Sequence, residues 1–171
     1  GAPRGEARPL TLIEGDLDFV IGGVRFRLLE LDKSHTDTLF AYYLPGEGVL
    51  YPPDVGFARG WPTPGPINSY YPGYIAAMER LSRLEFTHFI PSHGQVGRKA
   101  DFVAATDMMR DLRDTVRAAM ERHPGEDHAA AEAVFDEVWP VWKEKYGHLH
   151  GFSEMGLPNL VRQYAGVNLG Y

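Results

Sequence analysis

The 171-residue chain contains no cysteine. It can therefore form neither disulfides nor thiolate–metal bonds, and any metal it holds must be bound through His, Asp or Glu. It also lacks a surplus of positive charge: 17 Lys and Arg stand against 23 Asp and Glu, for a net charge of −6. With no basic cluster, nucleic acid is excluded as the expected partner. Long apolar runs are missing too. None approaches a membrane span, and the first residues, GAPRGEARPL, have no apolar signal-peptide core, so no membrane association is expected. The length is enough for one domain with a real core, soluble in the cytoplasm or, after removal of a leader, in the periplasm or outside the cell. The absence of cysteine leaves that compartment open.

What is present is a run of short strands followed by helices. Residues 16–21 (DLDFVI) and 24–31 (VRFRLLEL) flank Gly22-Gly23, and Val24, Phe26 and Leu28 alternate with Arg25 and Arg27, the pattern of a half-buried hairpin. Residues 38–44 and 48–51, joined by PGEG, predict a second hairpin. The 22 residues 52–73 form a loop rich in Pro, Gly and aromatics, long enough to suggest function. A helix is expected from about Pro72 to Leu84, a buried strand over 86–91, and a long amphipathic helix over 99–122 with Phe102, Met109 and Val116 on its apolar face. Further helices are expected over 127–146, capped by Asp127, kinked or interrupted at Pro140 and closed by Gly147, and near 157–165. The class is α+β, a layered α/β arrangement. Residues 1–98 carry the hairpins, loop and βα unit, and residues 99–171 form a helical extension packing on the same domain.

Three side chains able to bind a metal lie at strand ends. His35 precedes a strand, Asp54 follows one, and His93 follows the strand ending at Pro91. Ends of neighbouring strands meet on one rim of a sheet, so residues 19 and 39 positions apart can converge. Neutral imidazole and carboxylate suit Zn²⁺ and similar ions. Each alone is a weak signal: a lone histidine is commonly a surface residue, and Asp54 after Pro-Pro can simply cap a turn. His88, His123 and His128 read as structural or surface residues. Phe57, Trp61, Tyr70 and Tyr71 could line a substrate pocket beside Asp54 or pack the loop, and the sequence favours neither.

The three motifs SHT (34–36), PD (53–54) and SHG (92–94), with IGG before them, YLPGEGVLY between them and FIPSHG at the last, give residues 10–110 a resemblance to the C-terminal half of the metallo-β-lactamase fold, the hydrolase superfamily that includes glyoxalase II. The family's motifs read GHT, GD and GHG in this order, so Ser34, Pro53 and Ser92 stand where glycine is usual. The resemblance implies the C-terminal half of an αββα sandwich with added C-terminal helices. It also implies a two-zinc site in which His35 ligates the first ion, Asp54 bridges both and His93 ligates the second.

The family's first metal motif, H-x-H-x-D-H, does not occur in the sequence. The nearest match, His148-Leu-His150, is followed by Gly151-Phe-Ser and reads as an exposed inter-helix loop. The resemblance therefore implies a zinc-dependent hydrolase of a small ester, thioester, lactone or β-lactam-type substrate, inactive until completed by an N-terminal half, as a separate chain or fragment, or across a homodimer. The alternative expectation is a non-catalytic or self-associating structural or binding subunit of the same fold.

Overall fold

A computed structural model describes residues 12–62 and 69–169. The opening tail and the middle of the aromatic loop lie outside the described residues. The alternating stretch forms an antiparallel hairpin, β1 (Leu17–Ile21) with β2 (Val24–Glu30). Its two-residue turn needs positive φ at both positions, and Gly22 and Gly23 supply 59° and 85°. The second hairpin is β3 (Phe40–Leu44) with β4 (Val49–Tyr51), and β3 also pairs antiparallel with β2.

Helix α1 (Tyr71–Ser82), with Pro72 in its first turn, carries the chain over the sheet to β5 (His88–Phe89), which pairs parallel with β4. The strand expected over 86–91 is thus only two residues long. Ile90 still donates its N–H to Leu50 O at 2.8 Å, but Pro91 has no N–H with which to continue the ladder. A strand with no pattern of its own, β6 (Gly97–Arg98), completes a mixed six-stranded sheet in the order β1-β2-β3-β4-β5-β6.

Three helices follow. In α2 (Lys99–Arg122) the Asp101 carboxylate accepts the N–H of Arg98 at 2.8 Å, satisfying a donor at the helix start. In α3 (His128–Tyr146) the Asp127 carboxylate accepts from Ala130 N–H at 2.9 Å, the cap that its position suggests, and Gly147 closes the helix. Helix α3 continues through Pro140 without interruption. Pro140 and Asp136 are both exposed, so water can take the carbonyl that proline leaves without a donor, while Val138 and Trp142 hold the helix to the core. The last helix, α4 (Phe152–Leu169), starts five residues before its expected position and passes through Pro158.

The two faces of the sheet differ. Leu29, Ala41, Leu50 and Phe89 point into a core shared with Ile75, Met78 and Leu81 of α1 and Phe102, Met109 and Leu112 of α2. Val138, Trp142, Phe152 and Leu160 from α3 and α4 belong to the same cluster. On the other face the register places Leu17, Leu28, Tyr42 and Tyr51 in one row across four strands. Tyr42 and Tyr51 are 39% and 37% exposed there, their rings 5.8 Å apart. Among the described residues no helix is long and apolar enough to cross a membrane.

Candidate metal centre

The strand directions bring three segments to one rim. β4 and β5 are parallel, so the residues after them emerge on the same side, and β3 runs opposite to β4, so the residues before it start there. His35 lies in the β2–β3 loop, Asp54 follows β4 and His93 follows β5. All three meet: His93 Nε2 is 3.1 Å from Asp54 Oδ1, and His35 Nε2 is 3.9 Å from Asp54 Oδ2. The side chains differ in exposure, His35 at 22%, Asp54 at 31% and His93 at 77%, so the cluster is open on the His93 side.

Each member is set by its local chain. The loop before β3 is closed by Leu31 N–H donating to Leu39 O at 2.8 Å, and Ser34 O accepts the N–H of Tyr70 at 2.8 Å. Gly73 is required in α1, because a β-carbon there would fall 1.8 Å from Lys33 O. The helix start and the His35 loop are therefore in direct backbone contact. Asp54 has φ 54°, in the left-handed region that aspartate tolerates better than most side chains. Its N–H donates to Ser92 Oγ at 3.1 Å, so the serine that replaces a motif glycine ties the β4 and β5 ends together. Gly56 N–H donates to Tyr74 OH at 3.0 Å, and burial pushes that phenol up to about 12, keeping it neutral at physiological pH.

His35 Nδ1 lies 3.1 Å from Ser69 Oγ, which leaves Nε2 facing Asp54. In the tautomer with its proton on Nδ1, the imidazole donates to Ser69 and offers the Nε2 lone pair to the rim. Ser69 is itself held by Arg162, whose Nε is 3.2 Å from Ser69 O. Neither Ser69 nor Arg162 carries a sequence signal for this role, since the serine lies 34 positions beyond the histidine and the arginine a further 93, separations that form no recognisable motif.

The aromatic candidates separate. Trp61 is a core residue, 2% exposed, with its ring 5.7 Å from Trp142, 5.8 Å from Tyr146 and 4.8 Å from Phe152. Tyr71 is also buried, and its hydroxyl donates to Asn159. Both rings are buried, Trp61 against α3 and α4 and Tyr71 against α4. Phe57 is half-buried and lines a hollow of about 160 Å³ with Arg59, Asp101 and Met108. Tyr70 is half-buried, with Lys33 Nζ 5.2 Å from its ring centre.

Among the described residues no group of three or more His, Cys, Asp or Glu encloses a point that could hold a metal ion. His35, Asp54 and His93 contact one another pairwise on separate carboxylate oxygens. Their chemistry nevertheless fits one: two imidazole nitrogens and a carboxylate, with one imidazole fixed through its other nitrogen, is an N/O donor set suited to zinc.

No family model and no curated protein matches the sequence. Solved structures do match. A metallo-beta-lactamase from Pontibacter korlensis aligns over 63% of this chain and 52% of its own, at 18% identity and a TM-score of 0.51. A metallo-beta-lactamase family protein from Thermus thermophilus aligns over 81% of this chain and 50% of its own, at 20% identity and TM-score 0.50. A stereoselective inverting sec-alkylsulfatase from Pseudomonas sp. covers 96% of this chain with 27% of its own, at 14% identity and TM-score 0.63. The chain thus has the metallo-β-lactamase fold, in part: it spans about half the length of the first two proteins and less of the third. At these identities the likeness is one of fold alone.

Proposed function

We propose that this chain forms the C-terminal part of a two-metal hydrolase, contributing His35, Asp54 and His93 to a centre completed by an N-terminal half that carries H-x-H-x-D-H. The observation that carries the reading is the meeting of both imidazoles on the Asp54 carboxylate at one rim of the sheet. His35 and His93 would hold one ion each and Asp54 would bridge them. When bound, two zinc ions would supply Lewis-acid activation of a water and of the scissile carbonyl or phosphoryl oxygen. The residues of this chain position that chemistry: Ser69 fixes the His35 ring, Ser92 and Tyr74 fix the turn that presents Asp54, and the open His93 side admits substrate.

Completion by another half is supported by the sheet. Its helix-covered face is packed, while Leu17, Tyr42 and Tyr51 of the opposite row stay exposed, apolar side chains of the kind that a second sheet covers. The substrate is a small ester, thioester, lactone or β-lactam-type molecule, a reading supported by the half-buried Phe57 and Tyr70 near the rim segments in sequence and by the net charge of −6.

Native mass spectrometry on the chain alone and with a complementary half bearing H-x-H-x-D-H tests this. The expected result is a complex of the two polypeptides holding about two zinc ions, with esterase or lactonase turnover that neither piece shows alone. A metal-free homodimer that ignores the second polypeptide would instead establish a structural subunit.

A further inference from the structure

α1, α2 and α4 border an open pocket of about 350 Å³ whose wall includes Tyr70, Ile75, Arg113, Arg117, Gln163 and Val167. Its charge is opposite to that of the protein: the wall's fully ionised side chains are two arginines, in a chain of net charge −6. Arg113 and Arg117 are one helical turn apart on α2 and therefore share a face. Asp114 holds them in place at 2.9 Å and 3.8 Å without itself forming part of the wall. Gln163 of α4 is 1% exposed, and its Nε2 finds no acceptor among the described residues. A buried amide donor left unpaired costs free energy that an acceptor entering the cavity would recover.

We propose that this cavity binds a small organic acid, a carboxylate on an apolar ring or short chain. Arg113 and Arg117 receive the carboxylate, for which the guanidinium fork is well matched, and Gln163 offers a further donor. The apolar body lies against Ile75, Val167 and the Tyr70 ring, in a volume near the lower end of small-molecule sites. The polar groups that receive the acid, Arg113, Arg117 and Gln163, are none of them members of the His–Asp cluster, although Tyr70 adjoins Ser69, which contacts His35.

Isothermal titration of the 171-residue chain with benzoate, benzamide and inorganic sulfate is the test. Benzoate is expected to bind saturably and at least tenfold more tightly than benzamide or sulfate. Arg117→Gln should weaken benzoate at least tenfold, and Gln163→Glu, which sets a carboxylate against the ligand, should abolish binding. The Arg117 side chain is 54% exposed, so R117Q keeps the fold and carries the test even if Q163E unfolds. Benzamide or sulfate binding as well as benzoate, or R117Q binding like the unaltered chain, would overturn the proposal.

Discussion

Ser69 Oγ stands 3.1 Å from His35 Nδ1, and the same serine's carbonyl accepts from Arg162 of α4, so a helix remote in sequence holds the ring that faces Asp54. Groups that orient a ligating imidazole through its second nitrogen typically change metal affinity by about 10- to 100-fold when removed. Ser69→Ala should therefore weaken zinc binding in the completed assembly by about that factor, read by competition with a chromophoric chelator. Unchanged affinity would show that the His35 ring is fixed by packing alone.

Asp54 faces both histidines, one on each carboxylate oxygen, and the proposed function makes it the bridging ligand. Asp54→Ala should reduce the metal content of the assembly from about two ions and remove turnover, measured by elemental analysis alongside an esterase assay. Two ions per assembly in that variant would sink the bridging role.

The exposed sheet face allows folding and the proposed assembly to be tested apart. Because Tyr42 is 39% exposed, Tyr42→Glu should leave the thermal stability of the isolated chain nearly unchanged. It should weaken association with the complementary half by tenfold or more, because a charge would be buried at the interface without a partner. Surface plasmon resonance compares the two forms, and equal affinity would place the docking face elsewhere.

Gly73 touches the His35 loop through its missing side chain. A β-carbon at Gly73 would lie 1.8 Å from Lys33 O, and backbone cannot yield as a side chain can. Gly73→Ala should cost roughly 1–3 kcal/mol in urea unfolding, the usual range for overpacking. Wild-type stability in that variant would mean that α1 can slide away from the loop.

Acid should loosen the start of α2. The Asp101 carboxyl is held below the usual range, chiefly because it accepts the Arg98 N–H, with Arg59 also contributing. A group whose folded pKa is lowered stabilises the fold above its unfolded value, near 3.9, and loses that contribution as pH falls through the folded value. Asp101→Asn should therefore melt below the unaltered chain at pH 6, with the gap narrowing as the pH drops below about 4. A gap constant down to pH 2 would rule out titration of Asp101 as its cause.

Much of the fold was readable along the chain because it rests on local periods. The alternation from Val24 to Leu28, the Gly22-Gly23 turn, the apolar stripe from Phe102 through Met109 to Val116 and the Asp127 cap each act over a few residues, and each appears where its pattern lies. The features that local signals missed depend on long-range contacts. β6 is two residues paired to β5, α3 survives Pro140 because its neighbours anchor it, and α4 begins at Phe152, which packs on the distant Trp61.

By itself, the sequence determined the order of strands and helices apart from β6, the restriction to nitrogen and oxygen ligands, and the position of His35, Asp54 and His93 at strand ends. Tertiary structure decided which of these side chains touch, that Ser69 and Arg162 stand behind His35, and that Trp61 and Tyr71 belong to the core. Residue type and spacing set local backbone preference over one or two turns, whereas a contact between residues 34 or 93 positions apart exists only once sheet register and helix packing have fixed where each strand ends.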